Sequence, residues 1–170
     1  MFDRPLNRRF DARKAERHGE TVSGFMSWQD MPELAQVTEN QASDRIQVSV
    51  RFERTEDRVH AMHLTFDGSA DVLCQRCLEV MAVDMSGSCS LALVMSEEAI
   101  ERLPEGWEVN MLDEDGSVDV YRAAQEELLL RVPMVPKHAE NCGAIVNQDD
   151  APVEKPNPFA VLAQLKGKNE

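Results

Sequence analysis

Residues 46–53, Ile46-Gln47-Val48-Ser49-Val50-Arg51-Phe52-Glu53, alternate apolar and polar side chains without a break. Successive side chains of a strand point to opposite faces, so this run predicts a strand with one buried and one wet side. Met62, Leu64 and Phe66 repeat the period, and Asp67-Gly68 supplies the residues of a tight hairpin turn. Residues 70–73 then read as the return strand, residues 80–85 as another and residues 89–95 as a further one. Strands that follow one another through short turns, with no helix between them, predict an antiparallel sheet.

Outward from this centre the signals change. Residues 20–28 are extended in pattern, with Val22, Gly24, Met26 and Trp28 on one side. Residues 13–17 fit a short helix that Gly19 stops, and Asp30 is placed to cap a brief helix opening at Met31-Pro32-Glu33. Ser96, Glu97 and Glu98 open a helix that Pro104 ends. Asp119 caps a longer one over 120–132, where Tyr121, Ala124 and Leu128 share a face and Pro133 stops it. Near the end, Asn157 and Pro158 start a short C-terminal helix over 157–166, with Phe159 and Leu162 on one face. The expectation is an α+β fold: a mostly antiparallel sheet, a few short helices packed on it, and a short C-terminal helix.

The chain of 170 residues fits one domain, 1–170, with a basic N-terminal segment at 1–19 and a loop or linker at 143–156. Its 18 Lys and Arg face 31 Asp and Glu, a net charge of −13. Binding a phosphate backbone draws on Lys and Arg, so the whole surface does not serve nucleic acid. Contact with RNA would have to run through a local basic patch or a protein partner. Residues 96–127 hold eleven acids against Arg102 and Arg122, a local balance of −9. Such a stretch is either a solvated face or a docking surface for a basic partner. No apolar run approaches the ~18 residues of a membrane span, and the first ten residues have no apolar core of a secretory signal. Four cysteines at uneven spacing do not read as a disulfide framework, so the expected compartment is the reducing cytoplasm.

One constellation carries chemistry. Cys74-Gln75-Arg76-Cys77 places two thiols on a turn, and His138-Ala139-Glu140-Asn141-Cys142 offers a second half sixty residues on. Together they make a Cys3His set of the kind that holds structural zinc. Two other readings stay open: two reduced cysteines at a strand end, and a redox pair, although a redox Cys-x-x-Cys opens a helix in a βαβ unit and these strands form none. Cys89 is in phase with Leu91, Leu93 and Met95 and reads as a core residue. His60 and His63 fall on opposite faces of one strand, and neither has a Cys or Ser near it in sequence. No phosphate loop, dinucleotide fingerprint, nucleophile elbow or His-Glu-x-x-His occurs, and no catalytic residue is nominated.

Three pieces taken in order are more specific than any one alone. They are Cys74-Gln75-Arg76-Cys77-Leu78; residues 125–138, Gln125-Glu126-Glu127-Leu128-Leu129-Leu130-Arg131-Val132-Pro133-Met134-Val135-Pro136-Lys137-His138; and Lys155-Pro156-Asn157-Pro158-Phe159-Ala160-Val161-Leu162. In this order the chain resembles the YceD family of large ribosomal RNA subunit accumulation proteins, over roughly residues 20–168. The resemblance implies a non-enzymatic factor supporting 23S rRNA accumulation, through synthesis, processing or stability, and large-subunit biogenesis. It implies metal binding at Cys74, Cys77, His138 and Cys142, although other branches carry a denser Cys cluster at the second half. Expected partners are a ribosomal protein or RNA-processing enzyme, met through the acidic surface, with Arg76, Glu126, Glu127, Phe159 and Leu162 as candidate contact residues. Neither a membrane nor a small-molecule substrate is expected. The alternative is a zinc-stabilised protein that contacts pre-rRNA directly through Arg8, Arg9 and Arg13.

Overall fold

The computed structural model describes residues 4–19, 21–140 and 142. Residues Met1–Glu140 form one compact unit and Asn141–Glu170 a second, of which Cys142 alone is described. The linker and C-terminal helix expected at 143–166 therefore lie outside the described residues, as do Phe159 and Leu162.

The first unit is an α+β fold built on a five-stranded sheet. Its strands are β2 (Thr21–Ser27), β3 (Arg45–Arg54), β4 (His60–Asp67), β7 (Gly87–Val94) and β8 (Glu108–Met111), in the order β2-β3-β4-β7-β8. The alternation at 46–53 does what period-two patterning requires: Ile46, Val48, Val50 and Phe52 are buried, and Gln47, Ser49, Arg51 and Glu53 face away. Val50 sits opposite Leu64 and Phe52 opposite Met62, so the apolar rows of β3 and β4 merge into one core face. Full burial of each such side chain contributes about 1.5–3 kcal/mol. Helix α4 (Val120–Arg131) covers that face with Ala123, Ala124 and Leu128, and α1 (Ala12–His18) adds Ala12 and Ala15.

Asp119 caps α4 and Gly19 ends α1 where the sequence places them, while α1 gains an N-cap, Asp11, that the sequence reading did not name. Asp11 accepts from the Lys14 amide at 2.8 Å, and Asp119 from the Arg122 amide at 3.0 Å. Gly19 closes α1 in the left-handed conformation, φ +57°. Two other expected caps are absent. Asp30 belongs to a 3₁₀ turn (Trp28–Asp30), and Met31 is the N-cap of α2 (Pro32–Val37), with no side-chain capping bond. The Gln125 Oε1 reaches across from α4 to accept from the Glu33 amide at 3.1 Å, a tertiary substitute for the cap. Ser96 likewise makes no capping bond, and α3 is one turn, Glu97–Ile100, rather than a helix running to Pro104.

The hairpin expected at Asp67-Gly68 does not form. Gly68 (φ +155°) turns the chain out of the main sheet, and β5 (Ser69–Leu73) pairs with β6 (Val80–Asp84) as a separate two-stranded ribbon. β4 takes β7 as its neighbour instead. The sheet is antiparallel except at β7–β8, whose parallel pairing follows the crossover through α3. A further ribbon, β1 (Arg9–Asp11) with β9 (Ser117–Asp119), had no alternation to announce it. It is held by charge: Arg8 Nε meets Asp119 at 2.9 Å, and Arg9 meets Asp113 at 2.6 Å and Asp115 at 3.8 Å.

Candidate metal centre

The β5–β6 ribbon ends in a knuckle. Cys74 is fully buried at the tip of β5, and its amide donates to Glu79 O while the Leu78 amide donates back to Cys74 O, both at 2.9 Å. These two bonds fold the Cys-x-x-Cys-Leu segment into a tight loop with both thiols toward one side. The fold comes at a backbone cost, since Leu78 sits at φ +62° with its side chain 71% exposed. A branched residue held there costs about 1 kcal/mol or more, a strain that collects at binding sites.

The second half arrives from α4. Pro133 ends the helix, and the residue before each of Pro133 and Pro136 is driven to extended backbone; Val132 has φ −67° and ψ 122°. The extended stretch runs along the knuckle, where the Gln75 amide donates to Pro136 O at 2.8 Å. It delivers His138 with Nδ1 3.4 Å from Cys77 Sγ. Arg76 braces the arrangement by donating to the carbonyls of His138, at 3.0 Å, and Glu140. The ligand atoms of Cys74, Cys77, His138 and Cys142 all lie within 4.8 Å of one another.

This donor set could hold a metal ion. Tetrahedral zinc with sulfur bonds near 2.3 Å sets its ligands roughly 3.8 Å apart, so the spacing found needs only a small contraction. Three thiols and one imidazole are the soft donor set of structural zinc, and with four protein ligands no position stays open for a substrate. A redox pair, by contrast, would open a helix, and Cys77 leads into the strained turn at Leu78 and on to β6.

The other candidates fall as follows. Glu126 is exposed on α4, whereas Glu127 is half-buried and turned to Cys89. Burial raises the Glu127 carboxyl above its ordinary range, the Cys89 bond opposes this, and Glu108 adds to the rise. Cys89 is pushed up to about 12 by burial and by Glu127, so its thiol stays protonated. Sequence spacing missed a cross-strand group. His63 lies directly opposite Ser90 and bonds it at 2.7 Å through Nδ1, while its Nε2 meets Glu53 at 2.8 Å. The histidine thus has a serine partner after all, brought by register rather than by proximity along the chain. Ser90 sits in a regular strand whose ladder faces β4, so the trio is a polar network on the outer sheet face.

An α+β unit with a Cys3His knuckle at the end of a side ribbon is the architecture of a small protein with a candidate structural metal centre. Comparison places it more closely. Residues 62–166 match the family model described as "Large ribosomal RNA subunit accumulation protein YceD". A protein of that name from Haemophilus influenzae is 30% identical over 152 residues, covering 85% of this chain and 87% of the relative. The chain belongs to the YceD family, whose name carries a role in accumulation of large-subunit ribosomal RNA. No solved structure matches. Among the described residues no helix is long and apolar enough to cross a membrane.

Proposed function

We propose that the chain supports 23S rRNA accumulation and large-subunit biogenesis in the cytoplasm as a non-enzymatic factor, by contact with a basic ribosomal protein or RNA-processing enzyme. The observation that carries this is where the acids of 96–127 go. Asp113, Asp115 and Asp119 are engaged by Arg8 and Arg9, and Glu127 is turned inward. Glu97, Glu98, Glu101 and Glu105 remain exposed on and just after α3, with Arg102 among them. A cluster of one sign at a surface steers a partner of the other sign and gives salt-dependent association. Zinc held by Cys74, Cys77, His138 and Cys142 would cross-link the knuckle to the chain beyond α4, a purely structural service.

The same ion pairs count against the alternative of direct RNA binding, because Arg8 and Arg9 are already satisfied by carboxylates. What favours it is α1, where Arg13, Lys14 and Arg17 are exposed and in no ion pair among the described residues. Two measurements separate the readings. Replacing Glu97, Glu98, Glu101 and Glu105 with Gln should abolish low-salt copurification of ribosomal or RNA-processing proteins and lower 23S rRNA in cells. Unchanged rRNA with that variant, or tight salt-sensitive RNA binding lost on changing Arg13, Lys14 and Arg17 to Ala, would move the conclusion to RNA.

A further inference from the structure

Beside the knuckle, but separate from its ligand atoms, lies a groove of about 400 Å³. Its walls are the end of α2 (Val37, Glu39), the end of β5 (Val72, Leu73) and the end of α4 with the proline stretch (Leu129, Met134). Its volume falls in the range of binding clefts, and its lining is mainly apolar. The surface around it is apolar as well. Of the ten large hydrophobic side chains exposed among the described residues, Val37, Leu73 and Met134 line the groove, and Val135 stands in the chain between the lining residues Met134 and Pro136. Leu73 and Val80 are directly opposite in the ribbon, and Met134 is 99% exposed. An exposed apolar surface concentrated in one place marks an interaction site.

Charge decides the occupant. Glu39 is the one ionisable side chain in the lining, and it is exposed. Among the described residues no Lys or Arg lines the groove, so Glu39 alone sets the sign of its charge. We propose that this groove docks a partner-protein segment with one or two large apolar side chains flanked by Lys or Arg. The apolar groups fill the space between Val37, Leu73 and Met134, and a flanking cation meets Glu39. The wall at Gln75 and Pro136 is tied to the Cys3His knuckle by their mutual hydrogen bond, so the groove is held open by the same segment that gathers the ligands. The inference rests on the reading that the chain works through protein contacts, but places this contact away from α3.

The full chain is titrated by fluorescence anisotropy against a labelled dodecapeptide with two leucines four positions apart and lysines at both ends. Two controls replace the leucines with serine or the lysines with glutamate. The expected result is saturable micromolar binding, weakened about tenfold or more by either control. Leu73→Asp and Met134→Asp change exposed positions, so their melting temperatures should hold while binding falls at least about tenfold. Glu39→Gln should weaken binding about threefold. Glu97→Gln with Glu98→Gln should leave it unchanged, which separates this groove from the α3 surface. Equal binding of the serine control, or indifference to Leu73→Asp, overturns the proposal. So does self-association abolished by Met134→Asp, which would make the occupant a second copy. A synthetic peptide of residues 155–168 binding more tightly than the lysine probe would assign the groove to the chain itself.

Discussion

Replacing Gly87 with alanine tests how α4 is fastened to the sheet. Gly87 opens β7 at φ +148°, and a methyl group built there would run into the Arg131 guanidinium. The backbone part of the penalty is about 1–3 kcal/mol, because this region is nearly closed to residues with a Cβ. The second part comes from the arginine. Its guanidinium donates to Ser86 O at 3.3 Å and Ser88 O at 3.1 Å, and lies 5.4 Å from the Phe66 ring centroid. Displacing it forfeits two long hydrogen bonds at about 1 kcal/mol each and a cation–π contact of about 0.5–1 kcal/mol. The full cost is about 3.5–6 kcal/mol, a large share of the stability of an ordinary domain. Urea denaturation of wild type, Gly87→Ala, Arg131→Met and the double variant closes a thermodynamic cycle. With Arg131 already absent, Gly87→Ala should cost only the backbone part, leaving a coupling of about 2.5–3 kcal/mol. An equal cost in both backgrounds would refute the account, since it would mean that the methyl group and the guanidinium never compete.

Elemental analysis of purified protein should find about one zinc per chain, and chelation should lower the melting temperature by about 10 °C; metal-free protein that ignores chelator would remove the zinc proposal. The raised Glu127 carboxyl has a defined sign. The folded state holds that proton more tightly than the unfolded chain, so stability falls as pH rises from the ordinary value of 4.5 through the raised one. Glu127→Gln should therefore flatten this decline and stabilise the protein at neutral pH, and a thermal melt series against pH reads it directly. With its thiol pushed up to about 12, Cys89 should react with iodoacetamide at pH 8 roughly a thousandfold more slowly than an ordinary exposed thiol, as peptide mass mapping would show. Changing Arg8 and Arg9 together to Ala should cost about 1–2 kcal/mol at low salt and less at high salt, because these pairs are largely exposed.

The central strands were legible because residues 46–53 and 62–66 face a core on one side and solvent on the other, which writes burial directly into a period of two. Partners were not. Asp67-Gly68 has the chemistry of a hairpin turn, yet Gly68 uses its freedom to leave the sheet, and local sequence cannot tell a turn back from a turn away. β1 and β9 are three residues each and joined by Arg8, Arg9, Asp113 and Asp119, which count in sequence only as separate basic and acidic stretches. The α2 cap was misplaced because a distant Gln125 does the work that Asp30 was expected to do. The Cys-x-x-Cys half of the site announced itself, and two prolines explain how His138 is carried to it. The apolar groove was invisible, since Val37, Leu73 and Met134 belong to three elements and read singly as ordinary exposed residues.

The pairing of β1 with β9 bears on how the protein is made. Arg8 and Asp119 stand 111 positions apart, so at a synthesis rate of about 5–20 residues per second the carboxylate is made roughly 5–20 s after the guanidinium. Through that interval Arg8 and Arg9 lack the carboxylates they meet in the folded unit. The hairpin of β2 and β3 and its neighbour β4 are complete long before then. Arg8 and Arg9 are covered only when the β1–β9 ribbon closes, whereas Arg13, Lys14 and Arg17 stay exposed, so folding neutralises the segment's positive charge only in part and late.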